Sequence, residues 1–143
     1  MTVYLDTSSL IKLYVSEAGS DLVHQLVDAA DIVTTSTLAY PEARAALARR
    51  RREDAVSASA FAGAKRALDA DWPQYLALEA TPSLCRTAGD LAERYRLRGY
   101  DSVHLASFLE VARGAGPRNV RFSSFDDRLN DAAKRATRTL ARA

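Results

Sequence analysis

Four short apolar segments alternate with longer helical patterns, and this alternation constrains the fold more than any other feature of the chain. The short segments are residues 2–5, 32–35, 75–78 and 120–123, where β-branched and aromatic side chains favour strands. Strands that alternate with helical crossovers form a parallel sheet covered by helices on both faces. We therefore expect an α/β fold, a three-layer sandwich whose central sheet is mainly parallel.

Apolar residues at helical spacing predict seven helices between and after these strands. They cover residues 8–15, 22–27, 37–53, 55–70, 83–97, 101–113 and 126–138. Gly99 stands where the C-terminal cap of the fifth helix is expected. Pro41 is expected to cost its helix one backbone hydrogen bond or to add a slight kink. No repeat or long linker interrupts the chain, so residues 1–143 are predicted to form a single domain.

Composition narrows the class of protein. Hydrophobic residues make up 48% of the 143 residues, which suffices for a buried core. The single cysteine, Cys85, excludes a disulfide framework and is expected to be a buried helix residue rather than a nucleophile. No run of about eighteen apolar residues is present, so no membrane partner is expected. The N-terminus lacks the pattern of a signal peptide, and we expect a cytoplasmic protein.

Four acidic residues stand near the ends of predicted strands. Asp6 directly follows the first strand, Asp126 follows the last, Asp101 opens a helix, and Glu42 lies early in the helix after the second strand. Taken singly, the three aspartates are more simply helix N-caps, and Glu42 is an exposed helix residue. The working cleft of a parallel sheet, however, lies beyond the carboxyl ends of its strands. We therefore expect the four to converge there.

Converging carboxylates repel one another unless a cation lies between them. A hard divalent cation such as Mg²⁺ is the natural counter-ion, because it prefers oxygen ligands and is usually held by few carboxylates and several waters. Such an ion also binds phosphate oxygens and activates water. The residues thus predict metal-assisted hydrolysis of a phosphodiester, provided that the four acids meet.

Four sequence blocks carry a resemblance to a known family. They are LDTSSLIKLY at residues 5–14, YPEARAAL at 40–47, YDSVHLA at 100–106 and FSSFDDRL at 122–129. In this order they resemble the motif blocks of PIN domains, and they are most similar to the VapC toxins of bacterial VapBC toxin–antitoxin pairs. The resemblance runs from Val3 to about Ala133, nearly the whole chain.

The resemblance implies an endoribonuclease that depends on Mg²⁺ or Mn²⁺ and cuts tRNA, rRNA or mRNA. Metal-activated water would attack the phosphodiester and leave a 5′-phosphate and a 3′-hydroxyl. By position, Asp6, Glu42, Asp101 and Asp126 form the catalytic quartet, with Asp6 and Asp101 as direct metal ligands. Glu42 and Asp126 would bind the metal through water or help to orient the attacking water. The resemblance also implies a homodimer and a cognate VapB-like antitoxin whose C-terminal segment lies near the active site.

Neighbouring residues receive supporting roles from the same resemblance. Thr7 or Ser8, together with Ser124, would hold carboxylates through hydroxyl hydrogen bonds. Asp127 stands where a basic residue is expected, so whether Asp126 or Asp127 is the fourth acid stays open. His104, one helical turn after Asp101, is expected to be packed or to support the site rather than to bind metal.

Basic residues near these blocks are candidates for RNA contacts. Arg44 and Arg49 follow Glu42 on one predicted helix, and the planar guanidinium suits phosphate. Lys12 belongs to the first block and approaches either the metal cleft or the antitoxin, or lies at the surface with its charge in water. A compositional bias towards arginine and solvated helix faces is the simpler explanation for any single arginine cluster.

Two other functions remain open on the sequence alone. One is a catalytically inactive PIN-like module that binds RNA or protein, although the presence of all four acids favours activity. The other is a small phosphatase in which Asp6 is a covalent nucleophile. The phosphatase is the weaker alternative, because Ser8 stands where that chemistry requires a second acid.

Overall fold

The four predicted strands form one sheet in the computed structural model, which describes residues 1–143. The strands are β1 (Thr2–Leu5), β2 (Ile32–Ser36), β3 (Leu76–Leu78) and β4 (Val120–Ser123). Their order across the sheet is β3-β2-β1-β4, and every neighbouring pair is parallel. The predicted parallel sheet is therefore confirmed, and it contains no antiparallel strand.

Seven α-helices connect and follow the strands. They are α1 (Thr7–Leu10), α2 (Ser20–Asp28), α3 (Ala39–Arg52), α4 (Ala58–Asp71), α5 (Pro82–Tyr95), α6 (Gly99–Ala115) and α7 (Asp127–Leu140). Single 3₁₀ turns extend α1 at Ile11–Leu13 and α4 at Trp72–Gln74. A membrane-crossing helix would need a longer and more apolar stretch than any of these helices offers.

Strand β1 lies inside the sheet and is buried on both faces. Tyr4 packs on one face in the cluster that contains Leu105 of α6 and Leu129 of α7. Val3 and Leu5 pack on the other face in the cluster that includes residues of α1, α2, α3 and α4. Successive side chains of a strand point to opposite faces, so one apolar strand supports both helical layers. The predicted three-layer sandwich is confirmed.

The chain reverses its path across the sheet next to β1. The first three strands proceed from β1 to one edge, and the chain then returns through α5 and α6 to place β4 on the other side of β1. In open parallel sheets, such a reversal opens a crevice at the carboxyl ends of the two flanking strands. Asp6 and Ser124 follow β1 and β4 at this crevice.

The predicted caps at Gly99 and Asp101 are wrong. Gly99 does not cap the fifth helix: Arg96 adopts the left-handed conformation there, with φ of 54°, and Gly99 begins α6. Asp101 consequently lies within the first turn of α6 rather than at its cap. Pro41 costs no helical hydrogen bond, because it is the third residue of α3 and its nitrogen falls among those without an intrahelical acceptor.

Cys85 is exposed, which contradicts the prediction that it is buried. The buried side chains of α5 are Leu84, Ala88 and Tyr95, which follow the helical period. Cys85 comes one residue after Leu84, so it is rotated about a quarter turn away from the packed face.

Candidate active site

Asp6 lies at the junction of β1 and α1 with only 4% of its surface exposed. Its Oδ1 atom accepts hydrogen bonds from Ser8 Oγ at 2.7 Å and from the Ser9 backbone N–H at 3.0 Å. Its Oδ2 atom accepts from Ser124 Oγ at 2.6 Å. The Ser9 contact is the N-cap bond of α1, so the cap interpretation of Asp6 is correct. The two serine contacts go beyond a cap.

Both serine hydroxyls are themselves oriented by the backbone. Ser8 Oγ accepts from the Phe125 N–H at 2.9 Å, and Ser124 Oγ accepts from the Asp126 N–H at 3.0 Å. Since each oxygen receives a hydrogen from the backbone, its own hydrogen is directed at Asp6. The carboxylate is thus held by three neutral donors and forms no salt bridge.

Burial raises the pKa of Asp6 above its ordinary value, although the hydrogen bonds from Ser124 and Ser8 and the nearby His104 act in the opposite direction. An ionised carboxylate in this position lacks full charge compensation. A cation at the crevice would supply it.

Glu42 lies in the first turn of α3 and is held by Thr7 and His104. Its Oε1 atom accepts from Thr7 Oγ1 at 2.7 Å and lies 2.9 Å from His104 Nε2. His104 is buried, and its Nδ1 atom lies 2.9 Å from the hydroxyl of Tyr4. Because an ionised carboxylate only accepts hydrogen bonds, the network places an imidazole hydrogen on Nε2.

The environment lowers the pKa of Glu42. Burial alone would raise it, but the hydrogen bonds from His104 and Thr7, together with the electrostatic influence of His104 and Arg98, lower it by more. Sequence reasoning correctly treated His104 as a packed or supporting residue. It missed the partner, because the spacing of three residues pointed to Asp101 whereas the contact is with Glu42.

Asp101 and Asp126 share a cation, Arg98, that sequence reasoning missed. Arg98 Nε donates to Asp101 Oδ2 at 2.9 Å, and Arg98 Nη2 lies 3.6 Å from Asp126 Oδ2. The hydrogen bond with Asp101 raises the pKa of the guanidinium further. The available signal was the basic residue three positions before Asp101, the spacing of an i,i+3 pair.

Asp126 is the N-cap of α7, and its Oδ1 atom accepts from the Leu129 N–H at 2.8 Å. Its own backbone N–H donates to Ser124 Oγ, the hydroxyl that also binds Asp6. Asp127 is exposed and makes no side-chain hydrogen bond. This geometry favours Asp126 over Asp127 as the fourth acid.

The four acids form two linked pairs at the crevice. Asp6, held by Ser8 and Ser124, and Glu42, held by Thr7 and His104, are here called the inner pair. Asp101 and Asp126, which share Arg98, are the outer pair. Ser124 joins the two pairs. No three Asp, Glu, His or Cys side chains lie close enough together to hold one ion. The oxygen donors nevertheless suit Mg²⁺ or Mn²⁺, because Mg²⁺ is commonly bound by one or two carboxylates and several waters.

The predicted RNA-contacting residues lie outside this network. Lys12 pairs with Glu17 at 3.0 Å, and its ammonium lies 4.5 Å from the centroid of the Phe125 ring. Arg44 donates to Tyr40 Oη at 2.8 Å, and Arg49 pairs with Glu53 at 3.0 Å on the exposed side of α3. None of the three contacts an acid of the quartet.

Comparison of the sequence with known proteins identifies a matching family and several related ribonucleases. The profile of the PIN domain family matches residues 3–135. Ribonucleases VapC45 and VapC49 of Mycobacterium tuberculosis are each 40% identical to this chain over 134 residues, which are 94% of this chain and 90% of theirs. Ribonuclease VapC46 of the same organism is 30% identical over 92% of this chain and 90% of its own.

Two solved structures share the fold. M. tuberculosis VapC20, described as a toxin that cleaves the sarcin-ricin loop, superposes with a TM-score of 0.65 at 20% identity over 91% of this chain and 94% of its own. PAE2754 of Pyrobaculum aerophilum superposes with a TM-score of 0.64 at 21% identity over 100% of this chain and 91% of its own.

Proposed function

The chain belongs to the PIN domain family, and we propose that it is a divalent-metal-dependent endoribonuclease, the toxin of a type II toxin–antitoxin pair. The observation that carries the proposal is the placement of four carboxylates in two sets of side-chain contacts at the crevice beside β1. The sequence relationship to ribonucleases supports RNA as the substrate.

Asp6 and Asp101 are the proposed direct ligands of Mg²⁺ or Mn²⁺, and Glu42 and Asp126 contact the ion through water. When bound, the ion supplies positive charge to the phosphodiester and activates the attacking water. The residues around it orient the acids: Ser124 directs its hydroxyl at the carboxylate of Asp6.

Glu42 is proposed to orient the attacking water. Its Oε1 atom is occupied by Thr7 and His104, whereas no hydrogen bond is formed by Oε2. This leaves one carboxylate oxygen to accept a hydrogen from water. The lowered pKa keeps Glu42 ionised at neutral pH, as an acceptor requires.

Cleavage is proposed to leave a 5′-phosphate, without use of the ribose 2′-hydroxyl as nucleophile. That alternative chemistry commonly needs a pair of histidines as acid and base. His104 is buried with both ring nitrogens engaged, and His24, the only other histidine, is exposed on α2. Neither is placed to serve as part of such a pair.

The proposed partners follow from the VapC-type relatives. They are a VapB-like antitoxin and a second copy of this chain in a homodimer, with tRNA, rRNA or mRNA as the substrate. The arginines of α3 are proposed to follow the RNA backbone, with Arg49 the most exposed of the three predicted contacts.

The test is incubation of the purified protein with total RNA, with Mg²⁺, Mn²⁺ or excess EDTA. We expect fragments only with a divalent ion, and the new ends should accept a ligated adaptor that requires a 5′-phosphate. Metal-independent cleavage or 5′-hydroxyl ends would contradict the mechanism. RNA binding without cleavage under all conditions would favour the inactive binding module.

A further inference from the structure

One cation of this chain lies directly on the outer pair. Arg98 contacts Asp101 through Nε and approaches Asp126 through Nη2, so one guanidinium is shared between two carboxylates. Its side chain is 80% exposed, whereas those of Asp101 and Asp126 are 18% and 34% exposed. The acids are held in the fold, but the arginine reaches them from solvent.

The backbone at each of the two acids is held by its helix rather than by Arg98. Asp126 caps α7 through the Leu129 N–H, and Asp101 belongs to the first turn of α6. Arg98 precedes α6 in an extended conformation and makes no capping bond. The side chain of Arg98 can therefore leave without loss of the backbone that positions the two acids.

The contact with Arg98 is also weak enough to exchange. The guanidinium does not present two parallel N–H groups to one carboxylate, and the approach to Asp126 at 3.6 Å is loose. Exposed ion pairs of this kind contribute little net stability, because water competes for both partners.

We infer that Arg98 is an exchangeable counter-ion of the outer pair and that it competes with a divalent ion for these carboxylates. The inference rests on the proposed function, in which Asp101 is a metal ligand. Arg98 competes with the metal because its Nε atom occupies Oδ2 of Asp101 and its positive charge repels a second cation at the outer pair. It thereby raises the metal concentration at which the site fills.

The experiment measures Mn²⁺ binding to the RNA-free protein by isothermal titration calorimetry at one pH and salt concentration. The parent is compared with Arg98→Ala and Arg98→Gln, which remove the charge, and with Arg98→Lys, which keeps it. Arg86→Ala is the matched control, because Arg86 is exposed on α5 and forms no salt bridge. We expect the two neutral variants to bind Mn²⁺ about fivefold more tightly, the ratio equivalent to roughly 1 kcal/mol.

The thermal midpoint provides a second readout. Without metal, Arg98→Ala leaves two repelling carboxylates and should melt below the parent, and saturating Mn²⁺ should raise its midpoint more than that of the parent. Arg98→Gln addresses the same point if Arg98→Ala does not fold. Arg98→Lys and Arg86→Ala should stay within about twofold of the parent affinity.

The outcomes separate this inference from the proposed function. Equal or weaker Mn²⁺ affinity in both neutral variants would overturn the role of Arg98 while leaving the metal site standing. Binding by the neutral variants alone would support the inference strongly. Absence of binding in the parent and all variants would overturn the metal site, and the inference with it.

Discussion

The inner and outer pairs of carboxylates differ in the groups that compensate their negative charge. Asp6 is buried, and its carboxylate accepts hydrogen bonds from the neutral hydroxyls of Ser8 and Ser124. Asp101 is held by a guanidinium that reaches it from solvent. Glu42 resembles Asp6 in having fixed partners, and Asp126 resembles Asp101 in sharing Arg98.

The difference indicates how such a site stays folded without its metal. The inner pair is preorganised by groups that remain in place, at the cost of a buried charge that neutral donors only partly compensate. The outer pair carries an exchangeable positive charge. An incoming ion would find one half of the site fixed and the other half released when Arg98 leaves.

The largest effect is expected from Asp6→Asn. Asparagine still accepts the capping hydrogen bond from the Ser9 N–H but lacks the negative charge, so RNA cleavage should fall on the order of a thousandfold, equivalent to roughly 4 kcal/mol of transition-state stabilisation. Because a buried charge is removed, the metal-free variant should melt at or above the temperature of the parent. Cleavage assays measure the loss of activity, and thermal unfolding measures the melting temperature. Cleavage at the rate of the parent would remove Asp6 from the site.

The outer pair is tested by comparing neighbours in sequence. Asp126→Asn keeps the cap of α7, because asparagine is an equally good N-cap, and should lower the cleavage rate by about a hundredfold or less. Asp127→Asn, which changes an exposed residue, should stay within about twofold of the parent. A larger loss of cleavage rate in Asp127→Asn than in Asp126→Asn would assign the role of fourth acid to Asp127 instead.

A smaller effect on the cleavage rate is expected from removal of the Thr7 hydroxyl that donates to Glu42. Thr7→Val removes the hydroxyl with little change of shape and leaves only His104 to hold the carboxylate, so the cleavage rate should fall about tenfold with RNA affinity unchanged. Thr7→Ser restores a hydroxyl and should recover most of that rate. Failure of serine to rescue would point to packing of the lost methyl group instead.

The smallest effect is a difference in stability with pH. The raised pKa of Asp6 means that its favourable contribution is complete below its unfolded pKa of about 4 and is lost as the pH rises through the folded pKa. The lowered pKa of Glu42 has the opposite sign: its contribution is present above about pH 4 and is lost as the pH falls through the folded pKa.

Urea unfolding of the metal-free parent, Asp6→Asn and Glu42→Gln measures this contrast. The stability of Asp6→Asn relative to the parent should increase with rising pH, whereas that of Glu42→Gln should decrease as the pH rises from acid. Difference curves that bend in the same direction would contradict the contrast within the inner pair.

The order of elements and the placement of Asp6 and Asp126 could be predicted from the sequence. Each strand has its own apolar signal, and Asp6 and Asp126 stand directly after strands, where a parallel sheet places its crevice. The capping roles of both were predictable as well, because a cap depends only on residues within one turn.

The contacts between helices could not be predicted, because they join residues distant in the chain. His104 of α6 reaches Glu42 of α3 only beyond the end of β1, where Thr7 contacts both. Arg98 reaches Asp126 only because α7 begins next to α6. Lys12 pairs with Glu17, which lies just outside the first sequence block, so the block alone did not indicate the contact. The local apolar pattern predicts which side chains of a helix are buried. This prediction was wrong for Cys85, which is exposed one position from the packed face of α5.

The most direct test is a crystal structure of the protein soaked in Mn²⁺ and measured at a wavelength where manganese scatters anomalously. The account predicts an anomalous peak bound by Asp6 and Asp101, with the guanidinium of Arg98 withdrawn from the outer pair. Crystals that remain saturated with Mn²⁺ and show no peak at this crevice, with Arg98 still on Asp101, would contradict it.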